Sequence, residues 1–395
     1  MVLSFDSLKK LVGNWLFMLF ILILTLDPTG SILHLKNIAF VMLVGYNMIC
    51  FRPDFSKLPI ILAAFSVVVL TWIFATMQDV NIDLDGTFAL LKAVSPMVLL
   101  LWVREFDLLS LARTPIVISS LVVIILYWII VAVPEAEGFI YYFFNTQSDD
   151  TIMMAWRSFL GIEVFVMYYK SIVSFILVFA VYIAVSFDRQ KRNWRIILAT
   201  LIVLHAFIIS GTRSTMLLPF FLFGMVAYRE YKDSRYFKYI LYPALFVCGI
   251  GFVVLLFMLI MEKDETSNLV KYAHLGSYWQ LFMDHPSYLL FGQGPGSSFY
   301  SAGFRRVVQL TEWTYLELIR YFGILSLVII YIFYRPLVDL WKNFQSNISY
   351  TLFWAYLAYL LIAGTNPLLL SSTGMLVLLI IYSYVERIKH NTSHV

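Results

Sequence analysis

Charge is scarce in this chain. Only 13% of its 395 residues are Asp, Glu, Lys or Arg, against about 25% in soluble globular proteins, so an ordinary water-soluble domain is excluded. Cysteine is nearly absent as well. Cys50 and Cys248 lie near the end of one apolar run and inside another, which leaves neither a disulfide framework nor a thiolate metal site. A membrane barrel would need recurring segments of about ten residues with alternating polarity, and none occur. Low-complexity tracts, internal repeats and nucleotide-binding glycine loops are missing too. No cluster of His, Cys, Asp or Glu has metal-ligand spacing, so neither metal nor cofactor is expected, and no Ser-His-Asp arrangement can be argued.

What the chain has in abundance is apolar length, since 61% of it is hydrophobic. Runs of about 20 apolar residues span hydrocarbon as helices, which satisfy their own backbone hydrogen bonds where water cannot. The pattern predicts an all-α integral membrane protein with spans at 11–27, 32–50, 58–77, 86–103, 115–133, 171–187, 194–210, 214–229, 239–261, 313–334, 350–364 and 369–385. The first run follows Lys9 and Lys10 but lacks a small-residue cleavage site, so it reads as an uncleaved helix. The whole chain, 1–395, is expected to be one polytopic domain.

Lys and Arg fix the orientation, because they accumulate in short cytoplasmic segments. With both termini in the cytoplasm, 18 of the 28 Lys and Arg fall there, including Arg52, Lys57, Arg104, Arg189, Lys232, Arg335, Arg387 and Lys389. The acidic Asp79, Asp83 and Asp85 fall outside. Two outer segments, 134–170 and 262–312, exceed what a connector needs. Both are aromatic-rich, and Met153 to Tyr169 reads as an amphipathic helix on the outer surface. The first of these loops also carries Arg157, a candidate substrate contact.

Three constellations stand out for chemistry. Ser210-Gly211-Thr212-Arg213-Ser214-Thr215 joins two spans by a turn so short that Arg213 sits at membrane depth. An arginine beside a helix N-terminus suits phosphate, though Arg213 also reads as an anchor for the hairpin. His285-Pro286 leads into Gly292, Gly294 and Gly296, whose spacing implies a tight backbone path against another surface, a turn as readily as a site. Arg305-Arg306 precedes Glu312, Tyr315, Glu317 and Arg320. Two adjacent outer arginines run against the charge rule, while Glu317 and Arg320, three apart on a helix, are expected to pair. Lys92, His205 and His274 are isolated candidates.

These segments, in this order, resemble the O-antigen polymerase (Wzy) and O-antigen ligase superfamily. Ser210 to Arg213 is similar to its short outer turn, His285-Pro286 with Gly292, Gly294 and Gly296 to its late glycine segment, and Tyr315-Leu316 with Gly323 to its post-loop helix. The resemblance covers 195–335 by motif and the rest by topology, and it implies a GT-C-like membrane glycosyltransferase of about twelve transmembrane helices with two long periplasmic loops. Ligases of the family carry a His-Asn pair where this chain has Glu312 and Trp313, which favours a polymerase. The implied donor and acceptor are undecaprenyl-diphosphate-linked oligosaccharides at the outer face of a bacterial inner membrane, joined by an inverting displacement without metal. Membrane lipids are expected partners, nucleic acid is not, and a chain-length regulator is left open. The implied site comprises Arg213, Arg305 and Arg306 on the diphosphate, Glu312 as base, and His285, Tyr315 and Arg157 on the substrate. The competing readings are a ligase and a flippase for lipid-linked oligosaccharides.

Overall fold

A computed structural model describes residues 4–30, 32–145, 151–159, 162–188, 190–234, 239 and 266–392. The described chain is helical almost throughout. Its helices are α1 (Phe5–Leu26), α2 (Lys36–Cys50), α3 (Leu58–Met77), α4 (Leu84–Val94), α5 (Leu108–Leu111), α6 (Arg113–Ala132), α7 (Ala136–Phe144), α8 (Ile176–Phe187), α9 (Trp194–Ile209) and α10 (Arg213–Tyr231). After the undescribed residues follow α11 (Thr266–Asp284), α12 (Ser287–Phe291), α13 (Thr314–Phe322), α14 (Ser326–Lys342), α15 (Asn347–Gly364) and α16 (Ser372–Thr392). Among the described residues, six helical stretches are long and apolar enough to cross a membrane, while α2, α9 and the stretch Ile172–Phe187 are apolar but shorter. Most of the expected span 239–261 lies outside the described residues.

The molecule wears its apolar side chains outside as well as inside. Helix α8 is enclosed on all sides, with Ile176 to Val181 at most 1% exposed. By contrast α3 turns Leu62, Val69, Leu70, Ile73 and Met77 outward. Such a surface is costly in water and neutral in lipid. Together these features make the protein a helical membrane protein.

The two ends of the bundle differ. At the start of α3, Lys57 donates to Glu386 at 2.5 Å, Arg104 reaches Asp54 at 3.0 Å and Glu386 at 3.2 Å, and Lys389 pairs with Asp339 at 2.9 Å. Arg387 pairs with Asp107 in the same region. All these residues come from segments that the charge pattern assigns to one side. At the far end of α3, about 30 Å away for 20 residues, the segments assigned to the other side meet. There the Asp83 amide donates to Gly296 (3.0 Å) and Ser287 Oγ to Gln78 Oε1 (3.0 Å). The contacts therefore alternate between ends along the chain.

The first long loop departs from expectation. Met153–Tyr169 is no helix but part of an antiparallel hairpin, β1 (Ile152–Phe159) with β2 (Ile162–Tyr169), in which Ile152 faces Tyr169 and Met154 faces Met167. The side chains alternate in twos: Phe165, Met167 and Tyr169 pack with Ile140 and Ile152 in a small core of their own. Aromatic and β-branched residues favour this pleated, half-buried setting. Asn145 fixes the entry, accepting from the amides of Thr151 (2.8 Å) and Ile152 (2.9 Å). A second, shorter hairpin, β3 (Phe299–Ser301) with β4 (Arg306–Val308), stands in the second loop.

Candidate functional site

The glycine segment is built against protein. Gly292, Gly294 and Gly296 all have positive φ, and a Cβ on each would meet Tyr321 O at 2.3 Å, the Ala75 methyl at 2.4 Å and Asp83 O at 2.2 Å respectively. Only glycine permits both that backbone and that approach. The segment is a wedge between α13, the end of α3 and the start of α4, and its glycines are accounted for without a ligand.

Arg320 locks the wedge. It is fully buried, and its Nε and Nη2 bind Glu317 Oε2 at 2.7 and 2.6 Å, the pairing expected from their spacing. Nη1 donates to Gln293 Oε1 (2.8 Å) and to Ser297 O and Oγ (3.1 and 3.0 Å), and Nη2 to Gln309 O (2.5 Å). The guanidinium also lies over the rings of Phe299 and Tyr321. The other Glu317 oxygen accepts the Thr311 amide at 2.8 Å. Every charged atom of the pair has partners, as burial requires.

Beside this lock lies a cavity of about 770 Å³. One wall is a face of α4: Asp85, Phe88, Ala89 and Lys92 follow at helical spacing and all line it. Lys36 at the start of α2 and Lys170 at the end of β2 line it too, as do Gln309, Glu317 and the Ser371–Thr373 turn. Lys36 Nζ donates to Pro28 O at 2.8 Å and Ser372 Oγ at 3.4 Å, tying two walls together. Asp83 caps α4 by accepting the Asp85 amide (3.0 Å), and Gln309 Nε2 donates to its second oxygen (2.8 Å). That side-chain bond holds the Asp83 carboxyl below its usual pKa. The buried carboxylate of Asp27 organises the rim, accepting the amides of Gly30 (2.8 Å) and Leu33 (2.7 Å).

Of the residues singled out in the sequence, Arg157, His285, Arg305, Arg306, Glu312 and Tyr315 do not line this cavity. Arg157, on β1, donates to Gly211 O at 3.5 Å, so the first hairpin sits on the Ser210–Thr215 turn. That fit is tight, because a Cβ on Gly211 would stand 2.0 Å from a Val166 methyl. Arg213 begins α10 behind the N-cap Thr212, and its side chain lies outside the described residues. Arg305 and Arg306 are exposed at the β3–β4 turn, with Arg305 at φ 53°. His285 stacks on Tyr288, and the Tyr315 hydroxyl bonds to Tyr334 (2.8 Å) and Leu360 O (2.9 Å) within the helix packing.

Glu312 belongs to a separate cluster. It pairs with Lys271 at 3.3 Å, and its charge reaches Tyr168 and His274. His274 is buried, with Nδ1 bonded to Ser301 Oγ at 2.6 Å and no partner on Nε2 among the described residues. Burial lowers its pKa, and burial, reinforced by Glu312, raises that of Tyr168. His205 is occupied by Trp128, whose indole N–H donates to its Nε2 at 3.1 Å.

The sequence singles out Lys92 as a candidate and places Asp85 in the outer acidic group, but it does not single out Lys36 or Lys170. A signal existed: Lys36 and Lys170 are among the ten Lys and Arg left off the cytoplasmic segments. Chemically, the cavity offers amines for an anion, a carboxylate for a proton, and an apolar wall of Phe88, Leu318 and Leu370. In comparison with known proteins, no family model matches this sequence and no curated protein is similar to it.

Proposed function

We propose that this protein is an inverting glycosyltransferase that polymerises undecaprenyl-diphosphate-linked oligosaccharides at the outer face of a bacterial inner membrane, with about twelve spans and both termini cytoplasmic. The observation that carries the reading is the cavity at the end of the bundle away from the basic cluster. There Lys92, about 12 Å into a helix by its rise per residue, opens to the same space as Asp85. A lysine at that depth costs roughly 2.5–3.5 kcal/mol on insertion scales and is kept where it serves a pathway or a ligand.

In this reading the donor diphosphate lies against Lys92, with Lys36 and Lys170 lining the same cavity. An acceptor sugar hydroxyl attacks the anomeric carbon from the opposite face. The new C–O bond forms as the bond to phosphate breaks, and the diphosphate leaves with the electron pair, its charge stabilised by the amines. The hydroxyl proton passes to a carboxylate within hydrogen-bond reach. On the cavity wall Glu317 is engaged by Arg320 and the Thr311 amide, which leaves Asp85 as the base in place of Glu312. Apart from Lys92, the polar groups on the cavity wall gather toward the outer rim, which suits this chemistry better than transport, where they concentrate near the midplane.

Purified protein in liposomes, given lipid-linked repeat units, should yield a ladder of polymer lengths. In cells the deletion strain should carry single-repeat surface glycan. Accumulation of unligated polymer in that strain would assign a ligase instead, and accumulation of precursor in the inner leaflet would assign a flippase.

A further inference from the structure

Helix α11, in the second long loop, is built inside out. Its inward face is polar: His274 bonds to Ser301, Ser277 Oγ accepts the Ala302 amide at 2.8 Å, and the Tyr278 hydroxyl bonds to Thr311 Oγ1 at 2.6 Å. Its outward face carries Leu269, Tyr272, Trp279 and Met283, which are 56%, 61%, 71% and 62% exposed. At about 100° per residue these four fall within roughly 80° of arc. Gly276 lies in the same stripe, and a Cβ there would meet nothing within 4 Å among the described residues. A helix that hides hydroxyls and shows leucine, methionine and tryptophan is not made for water.

We infer that this stripe lies in the outer membrane–water interface, so that α11 rests on the lipid surface as an amphipathic helix. The neighbouring structure identifies lipid as the occupant. From Met283 the chain turns through His285-Pro286 into α12, whose Leu289, Leu290 and Phe291 are also exposed. Phe291 packs on Phe74 with ring centroids 5.5 Å apart. Phe74 belongs to the spanning stretch Phe55–Met77, whose outer end exposes Ile73 and Met77. The stripe therefore continues the lipid-facing surface of a membrane helix. Tyr272 and Trp279 suit the boundary, where an aromatic body sits among lipids and its polar edge stays wet. The inference does not depend on the glycosyltransferase reading.

The test uses the full-length protein in liposomes, with Cys50 and Cys248 replaced by serine. Nitroxide spin labels are attached singly at Tyr272→Cys, Trp279→Cys and Met283→Cys, with Arg306→Cys on the β3–β4 turn as the aqueous reference. Collisions with oxygen and with a water-soluble nickel chelate give each label's depth. The three stripe positions should favour oxygen and lie about 5–10 Å below the headgroup boundary, while Arg306→Cys favours the chelate. The positions are exposed, so their substitution leaves the fold intact. Stripe labels that favour the chelate would overturn the inference, because the face would then be in water. Labels shielded from both reagents would overturn it too, by showing a protein partner. Quenching of bimane at the same cysteines by brominated phospholipid gives an independent reading, and no quenching there counts equally against lipid.

Discussion

Replacing Arg320 with methionine is the most direct perturbation of the framework around the cavity. The side chain is fully buried and gives six hydrogen bonds, two of them to Glu317. Methionine fills most of the volume but leaves the Glu317 carboxylate buried without its cation. Removing one partner of such a pair costs about 3–5 kcal/mol. Domains of 150–250 residues lose about 2–4 °C per kcal/mol, so a larger chain should melt roughly 5–10 °C lower. Tryptophan fluorescence during a thermal ramp in detergent measures this. Arg320→Lys should fall between, keeping the charge but losing the planar fork and the stacking on Phe299 and Tyr321. Replacing Glu317 with leucine as well should recover part of the loss, because no charge is then left unpaired. A midpoint for Arg320→Met within about one degree of wild type would refute the lock. A double variant no better than the single would refute the ion-pair part of the reasoning.

Three further outcomes are expected. Lys92→Gln should bind undecaprenyl diphosphate at least about tenfold more weakly, or 1.4 kcal/mol, at normal protein level; unchanged affinity by native mass spectrometry would remove Lys92 from the anion site. Asp85→Asn should lower polymer formation at least tenfold, toward the roughly 10²–10⁴ that a general base supplies, while Glu312→Gln stays near wild type; the reverse order on a gel would return the base to Glu312. His274 has a lowered pKa in the fold, so below about 6.5 the unfolded chain takes up a proton that the folded one refuses. The thermal midpoint should therefore drop as pH falls from about 6.5, and the drop should shrink in His274→Gln; identical pH profiles for both proteins would assign the acid sensitivity elsewhere.

Much of the scaffold was legible because the membrane imposes a simple rule on composition. Runs such as 58–77 and 115–133 had to be helices, and the structure has α3 and α6 there. Alternation of charge predicted which segments meet at each end, and the contacts of Lys57 and Glu386 at one end and of Asp83 and Gly296 at the other follow it. The first hairpin has no clear signature in the sequence because both of its faces are apolar. Phe165 and Met167 serve a core while Val166 presses on Gly211, so neither the helical period nor a clean alternation was visible. The glycine segment announced a close approach without saying to what, since a backbone carbonyl and a phosphate make the same demand on a missing Cβ. The cavity had no local signature, because Lys36, Lys92 and Lys170 come from three distant segments.

The two ends of the bundle use charge in opposite ways, and in the proposed reading the cavity is the working end. Glu386 is buried and touched by Lys57, Arg104 and Lys389 within 4 Å. Such a knot holds helices together. Asp85 and Lys92 share one helix face seven residues apart, about 10.5 Å along the axis, too far to neutralise each other. Both open to the same cavity. Packing alone would favour apolar side chains on that face, as elsewhere in the bundle. In the proposed reading, a carboxylate and an amine spaced along one wall of an open space suit a molecule that brings a hydroxyl to one and an anion to the other. A sugar joined to a diphosphate carries both.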